Sequence, residues 1–484
     1  MYFISLKFIV FFLAFLTAYF LIPPAKRYMV ICAGNLFFYC FGNAKYLLLI
    51  LGITTLMYGG GLLLERNKRK LFLALFVAAI ILVLVYFKYL GFIANNLNFI
   101  LRRVFGQELF VHNPILPVGL SFCVFQSINY LADVYKKNIS AEKDIFCLSA
   151  FLFFFPTLLC GPIQKARILL PQIKEPKGFE SENGIKGFYF FVWGMFEKII
   201  IADKLGILIE NLYSNTESTV NVLLAVFLYS IYIYADFCAY SDMARGVAKI
   251  MGFEVGRNFI NPYFSTSLSE FWRRWHVSLN DWFVENIYIP MGGSRKGSFK
   301  KCINIMIVFF VSGIWHGAAW HFIAWGVING ALVLVSNIIK PVKSEIYSFL
   351  KVSEDVESIV WLRRFIVFVI ISFTWLFFRN GFMVTLGMLK NLCRGPFNFS
   401  FDITGIFGSS TMAFAELLVL GVFVFVQAKR SDENNCYKVI KRQPFVVQGV
   451  TVGILLTVII FVICKNIYSG GLVDGGSQFI YFKF

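Results

Sequence analysis

His316 is the residue whose surroundings most clearly favour chemistry. It stands in a Trp-His-Gly triplet at 315–317, near the end of an apolar segment that begins at about residue 303. With a helical rise of about 1.5 Å per residue, its imidazole would lie roughly 20 Å into a hydrocarbon layer of about 30 Å. An ionisable group at that depth marks a functional site, and a buried neutral histidine can act as a general base. The alternative is a structural histidine bonded across helices, which is the interpretation favoured for His321.

A second motif, at residues 269–282, places three tryptophans, two arginines and a histidine within eleven residues. An amphipathic helix at the membrane interface would account for its tryptophans. However, Arg273 and Arg274 could also hold an anionic donor such as a phosphopantetheine carrier. His276 could lie beside His316 as a partner. The motif alone leaves both interpretations open.

A third motif interrupts the apolar segment 222–250 with charge. Asp236 and Tyr240 are spaced i, i+4 and could line a polar cavity on one helix face. Asp242 and Arg245 are spaced i, i+3, which favours a structural ion pair. A further charged group is predicted to mark the end of a span: Glu197, Lys198, Asp203 and Lys204.

Several familiar catalytic signatures are missing from the sequence. It contains no Walker A loop, no G-x-S-x-G elbow, no H-E-x-x-H and no dinucleotide fingerprint. Its ten cysteines form no C-x-x-C and no metal-ligand spacing, so we predict buried apolar cysteines and no metal site. The glycine-rich stretch 292–297 lacks P-loop spacing and is interpreted as a cytoplasmic turn.

The composition requires a membrane environment for these motifs. Of 484 residues, 58% are hydrophobic and only 15% are charged, against about 25% charged in an ordinary soluble domain. One soluble core could not hide that much apolar surface. The net charge of +18 comes from basic clusters between apolar segments, a pattern typical of cytoplasmic loops rather than of a nucleic-acid-binding face.

The hydropathy pattern predicts an all-α polytopic integral membrane protein with roughly 11–12 transmembrane helices. The predicted spans are 4–21, 28–43, 46–64, 71–90, 116–135, 186–203, 222–250, 303–317, 319–339, 363–378, 412–428 and 446–464. Segments 145–170 and 258–292 are predicted as re-entrant or interfacial helices, which are tolerated at depth only when buried in protein or lining a wet cavity. We predict a single membrane domain over 1–484: N-terminal helices in 1–115, a catalytic core in 116–340 and C-terminal helices in 341–484.

The basic clusters also predict the orientation of the chain. Counting the spans from an extracytoplasmic N-terminus places most of the clusters in the cytoplasm, with the best agreement from residue 295 onward. The same count predicts an extracytoplasmic C-terminus. The clusters comprise Lys26 and Arg27; Arg66, Lys68, Arg69 and Lys70; Arg295, Lys296, Lys300 and Lys301; Lys340, Lys343, Arg363 and Arg364; and Lys429, Arg430, Lys438, Lys441 and Arg442.

On these residues the sequence resembles the membrane-bound O-acyltransferase (MBOAT) family, and within it the bacterial alginate O-acetyltransferase branch. The ordered pair of Trp-Arg-Arg-Trp-His and Trp-His-Gly is the most specific feature. The matching stretches are Pro117–Phe122, Gln126–Ser127, Asp133–Tyr135, Phe155–Pro156, Gly161–Ile163, Asp236–Asp242, Asn258–Tyr263, Phe271–His276, Tyr288–Pro290, Gly292–Gly293, Trp315–Gly317 and Phe479–Phe482.

The resemblance implies a helical bundle whose tunnel or funnels meet at mid-membrane, with His316 catalytic and His276 a second active-site residue. It implies that a thioester donor, acetyl-CoA or an acylated carrier, arrives from the cytoplasm as a co-substrate, with no tightly bound cofactor. The acceptor would be an extracellular glycan. An SGNH-type partner often completes transfer in this branch, which would fit the missing serine elbow. The predicted substrate-binding residues are Trp315, Asp236, Tyr240, Trp275, Arg273 and Arg274.

Other functions stay open at this stage. The related teichoic-acid branch, which moves D-alanine from an acyl carrier protein, is the second candidate. A non-catalytic glycan or lipid transporter would also contain buried charges, but such proteins often show duplicated halves, and none is visible here. A scaffold for a glycan-export complex would tolerate loss of His316.

Overall fold

The computed structural model describes residues 1–41, 44–109, 114–397, 410–429, 437 and 440–468. These residues form helices, turns and loops, and no strand occurs among them, which confirms the predicted all-α class. The predicted Phe479–Phe482 match and the C-terminal end lie outside the described residues. The α-helices, α1 to α21 in chain order, are Leu6–Leu21, Arg27–Cys40, Tyr46–Arg66, Lys70–Leu84, Leu90–Phe105, Leu120–Tyr135, Ile145–Leu152, Phe155–Leu158, Ala166–Lys174, Ser181–Phe196, Asp203–Ser214, Thr219–Ile250, Leu268–Arg274, Val277–Phe283, Ser298–His316, Trp320–Ile338, Lys340–Phe349, Glu357–Arg379, Phe382–Arg394, Ser410–Lys429 and Phe445–Tyr468.

Within the described residues, seven helical segments are long and apolar enough to cross a membrane. Each coincides with a predicted span, so the chain is a multi-pass membrane protein. The seven are Tyr46–Arg66, Lys70–Phe105, Thr219–Ile250, Ser298–His316, Trp320–Ile338, Glu357–Arg379 and Phe445–Val462.

The other five predicted spans coincide with helices that do not meet the same criterion. Helices α1, α2 and α6 have 16, 14 and 16 residues, short of the 20 or so that a perpendicular crossing needs. The predicted span 186–203 is interrupted, because α10 ends at Phe196 and a turn of π-helix, Glu197–Ala202, follows. The fifth, 412–428, falls on α20, whose first side chains lie outside the described residues.

The chain forms two compact units, and α12 supplies residues to both. One unit takes residues 1–191 and 240–256, and the other takes residues 192–239 and the described residues from 257 onward. In the first unit, phenylalanine rings form much of the core. Phe155 contacts Phe11, Phe12 and Phe15 at centroid distances of 5.1 to 6.5 Å, an arrangement that uses the edge and face preferences of aromatic pairs.

In the second unit, α15 and α16 pack antiparallel at very close range. A Cβ on Gly313 would lie 2.5 Å from the carbonyl oxygen of Phe322, and a Cβ on Gly326 would lie 2.4 Å from that of Phe309. Small residues on a membrane helix allow another helix to approach this closely. At Gly313 the neighbour is a helix, as in other membrane helix pairs joined through small residues.

Candidate active site

His316 is the last residue of α15 and lies at the buried end of a cavity of about 420 Å³. One face of α15 lines this cavity, because Lys301, Ile305, Ser312 and His316 are separated by four, seven and four residues. Lys301 and His316 are fifteen residues apart, so the lining face runs for about 22 Å along the helix. The cavity therefore follows one side of the transmembrane helix α15 from near its first residue to its last.

A sharp backbone turn brings His276 to the same cavity. Helix α13 ends at Arg274, Trp275 is extended, and His276 adopts a left-handed conformation with φ 44° before α14 begins. That conformation is uncommon for residues other than glycine and is retained only where the surroundings enforce it. Two backbone hydrogen bonds bracket the turn: Ile260 N–H donates to the Arg274 carbonyl (3.0 Å), and Val277 N–H donates to the Asn258 carbonyl (2.8 Å).

The two histidines are buried and share one aromatic neighbour. His276 is 2% exposed and His316 is 6% exposed. The Trp315 ring centroid lies 6.2 Å from that of His276 and 4.9 Å from that of His316. The structure thus brings together the two histidines that the sequence paired.

His276 is a neutral imidazole at physiological pH. Its burial lowers the pKa to about 3, and neither ring nitrogen is hydrogen-bonded to another described residue. A buried polar group without a partner is costly, and exceptions to the usual satisfaction call for an explanation such as a bound ligand or water. Because the residue lines the cavity, a molecule inside it would lie beside this imidazole.

Aromatic rings enclose the His316 end of the cavity. The Trp325 and Phe378 centroids each lie 5.1 Å from the His316 ring, in edge-on arrangements. Trp325 in turn contacts Trp272, which lines the cavity. Such a wall excludes bulk water, which strengthens electrostatic interactions at the reacting atoms.

The other end of the cavity is exposed and basic. Arg273 and Lys301 are exposed, and they share this rim with Ser269 and Asn337, whose side chains are hydrogen-bonded to each other. The cavity therefore changes along its length from a cationic, hydrated rim to a dry end with two histidines. An elongated ligand with an anionic group at one end and a reactive group at the other matches this gradient.

The remaining predicted substrate-binding residues divide into two groups. Trp275 and Arg273 line the cavity, and Trp315 contacts both histidines without being part of the lining. Arg274 pairs instead with Glu270 (2.6 Å), one helical turn away. Asp236 is not among the described residues that line the cavity, and its carboxylate lies 2.7 Å from the Lys198 ammonium.

Three further predicted residues on α12 lie in the first unit. Tyr240 is buried, and its ring contacts that of Phe3 at 6.4 Å. Asp242 and Arg245 form the predicted i, i+3 ion pair at 3.3 Å. His321 Nδ1 lies 2.9 Å from the Phe377 carbonyl oxygen, which agrees with the structural role predicted for that histidine.

Several cavity residues belong to no functional motif in the sequence. The sequence places Lys301 only in a basic cluster, and no motif includes Ser312. Helical spacing could have found both, because counting back from His316 in steps of four, seven and four selects Ser312, Ile305 and Lys301. Asn280 and Tyr288 also line the cavity, and no spacing in the sequence relates them to His316.

The fold and site define a multi-pass helical membrane protein with a paired-histidine cavity. The chain belongs to the membrane-bound O-acyltransferase family, whose sequence profile matches residues 134–379. It is an acyltransferase, and the matched region contains both histidines.

Three individual relatives show which kinds of acyltransferase this chain is similar to. The probable alginate O-acetylase AlgI of Azotobacter vinelandii is 33% identical over 372 residues, which cover 75% of this chain and 72% of the relative. The peptidoglycan O-acetyltransferase of Helicobacter pylori is 31% identical, covering 72% and 69%. The teichoic acid D-alanyltransferase of Bacillus subtilis is 28% identical, covering 47% and 60%.

Proposed function

We propose that this acyltransferase moves an acetyl group from a cytoplasmic thioester across the membrane to hydroxyl groups of an extracellular polysaccharide, directly or through an SGNH-type partner. The observation that carries the proposal is the cavity that joins the basic rim at Lys301 and Arg273 to the buried His276 and His316. Similarity to proteins named alginate O-acetylase and peptidoglycan O-acetyltransferase supports both the acetyl group and the glycan.

In the proposed reaction, His316 acts as the general base. Its imidazole removes the proton from the incoming hydroxyl, of a sugar or of a partner serine, and the oxygen attacks the thioester carbonyl carbon. The new C–O bond forms as the C–S bond breaks, and the imidazolium returns its proton to the leaving thiolate. His276 is a poor base at neutral pH because its pKa is about 3, so we assign it to orienting donor or acceptor.

The proposed orientation places the rim of the cavity at the cytoplasmic face. Arg295, Lys296, Lys300 and Lys301 precede or begin α15, and basic residues that flank a span favour the cytoplasm. The donor would enter there and extend its pantetheine arm along α15, so that only the acyl group crosses. This orientation includes the predicted extracytoplasmic N-terminus and C-terminus.

A D-alanyl transferase is the second candidate, because the similarity extends to proteins named teichoic acid D-alanyltransferase. The two candidates differ in the donor: acetyl-CoA or an acetylated carrier in one, and a D-alanyl carrier protein in the other. They share the cavity, the histidines and the basic rim, so the chemistry of the transferred group must distinguish them.

The test measures acyl groups on the cell-surface glycan of a deletion strain with and without the gene. We expect mass spectrometry to find O-acetyl esters that are lost on deletion and return with the wild-type gene. In proteoliposomes, acetyl-labelled acetyl-CoA and a D-alanyl carrier protein are compared as donors. Restored D-alanyl esters would favour the second candidate, and an unchanged glycan with neither donor consumed would contradict the proposal.

Neutralising the rim should weaken donor binding more than chemistry. Lys301→Gln or Arg273→Gln is expected to raise KM for acetyl-CoA about threefold to tenfold, less than a buried phosphate contact would give because both side chains are exposed. The effect should shrink in high salt, which screens exposed charges. Lys300→Gln is the matched control, since this exposed neighbour does not line the cavity. Equal KM changes in all three variants would show that Lys301 and Arg273 have no specific role in binding the donor.

A further inference from the structure

A second cavity in the same unit has no lining residue in common with the first. It has a volume of about 260 Å³. Its walls come from α12, the Pro262–Phe264 turn of 3₁₀-helix, α18 and α20. Aromatic rings dominate the lining, including Tyr234, Phe368 and Phe423. The reaction proposed above does not use this cavity.

Polar atoms on the inner wall are already hydrogen-bonded to other protein groups. The Tyr234 hydroxyl donates to Gln427 Oε1 (2.9 Å), and Gln427 Nε2 donates to Glu197 Oε1 (2.7 Å). The Tyr263 hydroxyl donates to the Ser230 carbonyl (2.7 Å). An inner wall whose polar atoms are committed in this way suits a hydrocarbon chain better than a sugar or a nucleotide, which would need hydrogen-bond partners.

Exposed apolar side chains border the cavity. Trp361 is 49% exposed, Phe365 is 62% exposed and Val424 is 41% exposed. Trp361 and Phe365 belong to a membrane-spanning helix, so apolar surface exposed there faces lipid. The molecule with the most direct access to this cavity is therefore a membrane lipid.

Arg364 supplies a cation at the same place. Its guanidinium lies 4.8 Å from the Trp361 ring centroid, and its buried Nε has no hydrogen-bond partner among the described residues. The preceding residue differs, because Arg363 donates to Glu354 Oε2 (3.0 Å) and to the Thr266 carbonyl. A guanidinium that pairs with no carboxylate of the described residues presents a planar set of donors that matches a phosphate.

We propose that this cavity binds an anionic phospholipid of the surrounding bilayer, with its phosphate on Arg364 and one acyl chain among the aromatic rings. The bound chain would pack against the Pro262–Phe264 turn, which precedes α13 and the His276 turn. The site is a binding site and takes no part in acyl transfer.

The test counts lipids retained by the purified protein in native mass spectrometry after nanodisc incorporation with equal phosphatidylglycerol and phosphatidylethanolamine. We expect the wild-type protein to retain phosphatidylglycerol about tenfold over phosphatidylethanolamine. Arg364→Gln should reduce that preference to near parity, and Arg364→Lys should restore part of it. Val424→Trp, which narrows the mouth at an exposed position, should reduce retention of both lipids. Lys343→Gln is the control and should behave like wild type.

Two outcomes would overturn the proposal. One is a wild-type phosphatidylglycerol preference in Arg364→Gln together with wild-type retention of both lipids in Val424→Trp, each variant being monodisperse by gel filtration. The other is displacement of phosphatidylglycerol by millimolar inorganic phosphate, which would show an anion site without a lipid chain. Because the readout is lipid retention, a failure of this proposal can be distinguished from a failure of the proposed acyl transfer.

Discussion

His316→Ala should lower kcat for acyl transfer by about 10²- to 10⁴-fold, the range that a positioned general base contributes. His316 lies at the dry end of the cavity, enclosed by Trp325 and Phe378, so bulk water cannot easily replace the base. His316→Gln should show a similar loss although its side chain fills more of the space, because an amide cannot accept the proton. The measurement is initial-rate transfer from labelled acetyl-CoA in proteoliposomes, with surface-glycan esters scored in the complemented strain.

The matched control for this prediction is His321→Ala, in the neighbouring helix α16. His321 contacts the Phe377 carbonyl and does not line the cavity, so its loss should leave kcat within about threefold of wild type. His276→Gln should give an intermediate loss, as expected for an orienting group. Wild-type rates in His316→Ala and His316→Gln at equal membrane levels would refute the base assignment.

The sequence predicted both histidines of the cavity because each carries a signal that does not depend on the rest of the fold. An ionisable histidine inside an apolar span is energetically costly and therefore rare, and the tryptophans and arginines around His276 form an unusual cluster. Partners were less predictable. Asp236 and Tyr240 share a helix spacing, but Lys198, 38 positions earlier, pairs with Asp236, and only the tertiary structure brings those two together.

The two neighbouring arginines, Arg273 and Arg274, also have different contacts that the sequence could not predict. Successive residues of a helix point about 100° apart, so Arg273 and Arg274 cannot face one ligand equally. The structure turns Arg273 into the cavity and leaves Arg274 to Glu270. Hydropathy likewise found apolar segments such as 186–203 but could not detect the turn of π-helix at Glu197–Ala202, because that turn is equally apolar apart from its two charges.

One of those two charged residues, Lys198, gives the largest expected effect on stability. Lys198 is completely buried, and its ammonium lies 2.7 Å from the carboxylates of both Asp236 and Asp203. Removing one partner of a buried pair leaves an uncompensated charge and costs about 3–5 kcal/mol. Lys198→Met should therefore lower the free energy of unfolding by about that amount, seen as reduced membrane accumulation and a lower melting temperature in detergent.

The double variant Lys198→Met with Asp236→Asn distinguishes lost charge balance from lost packing. It removes the fully buried carboxylate together with its cation, so it should recover much of the stability, because a neutralised pair costs far less than a broken one. The pair of Arg379 with Glu210, whose side chain is 59% exposed, supplies the control: Glu210→Gln should change stability by at most about 1 kcal/mol. If the double variant melted no higher than Lys198→Met, the cost would lie in packing around the lysine stem and not in the unpaired Asp236.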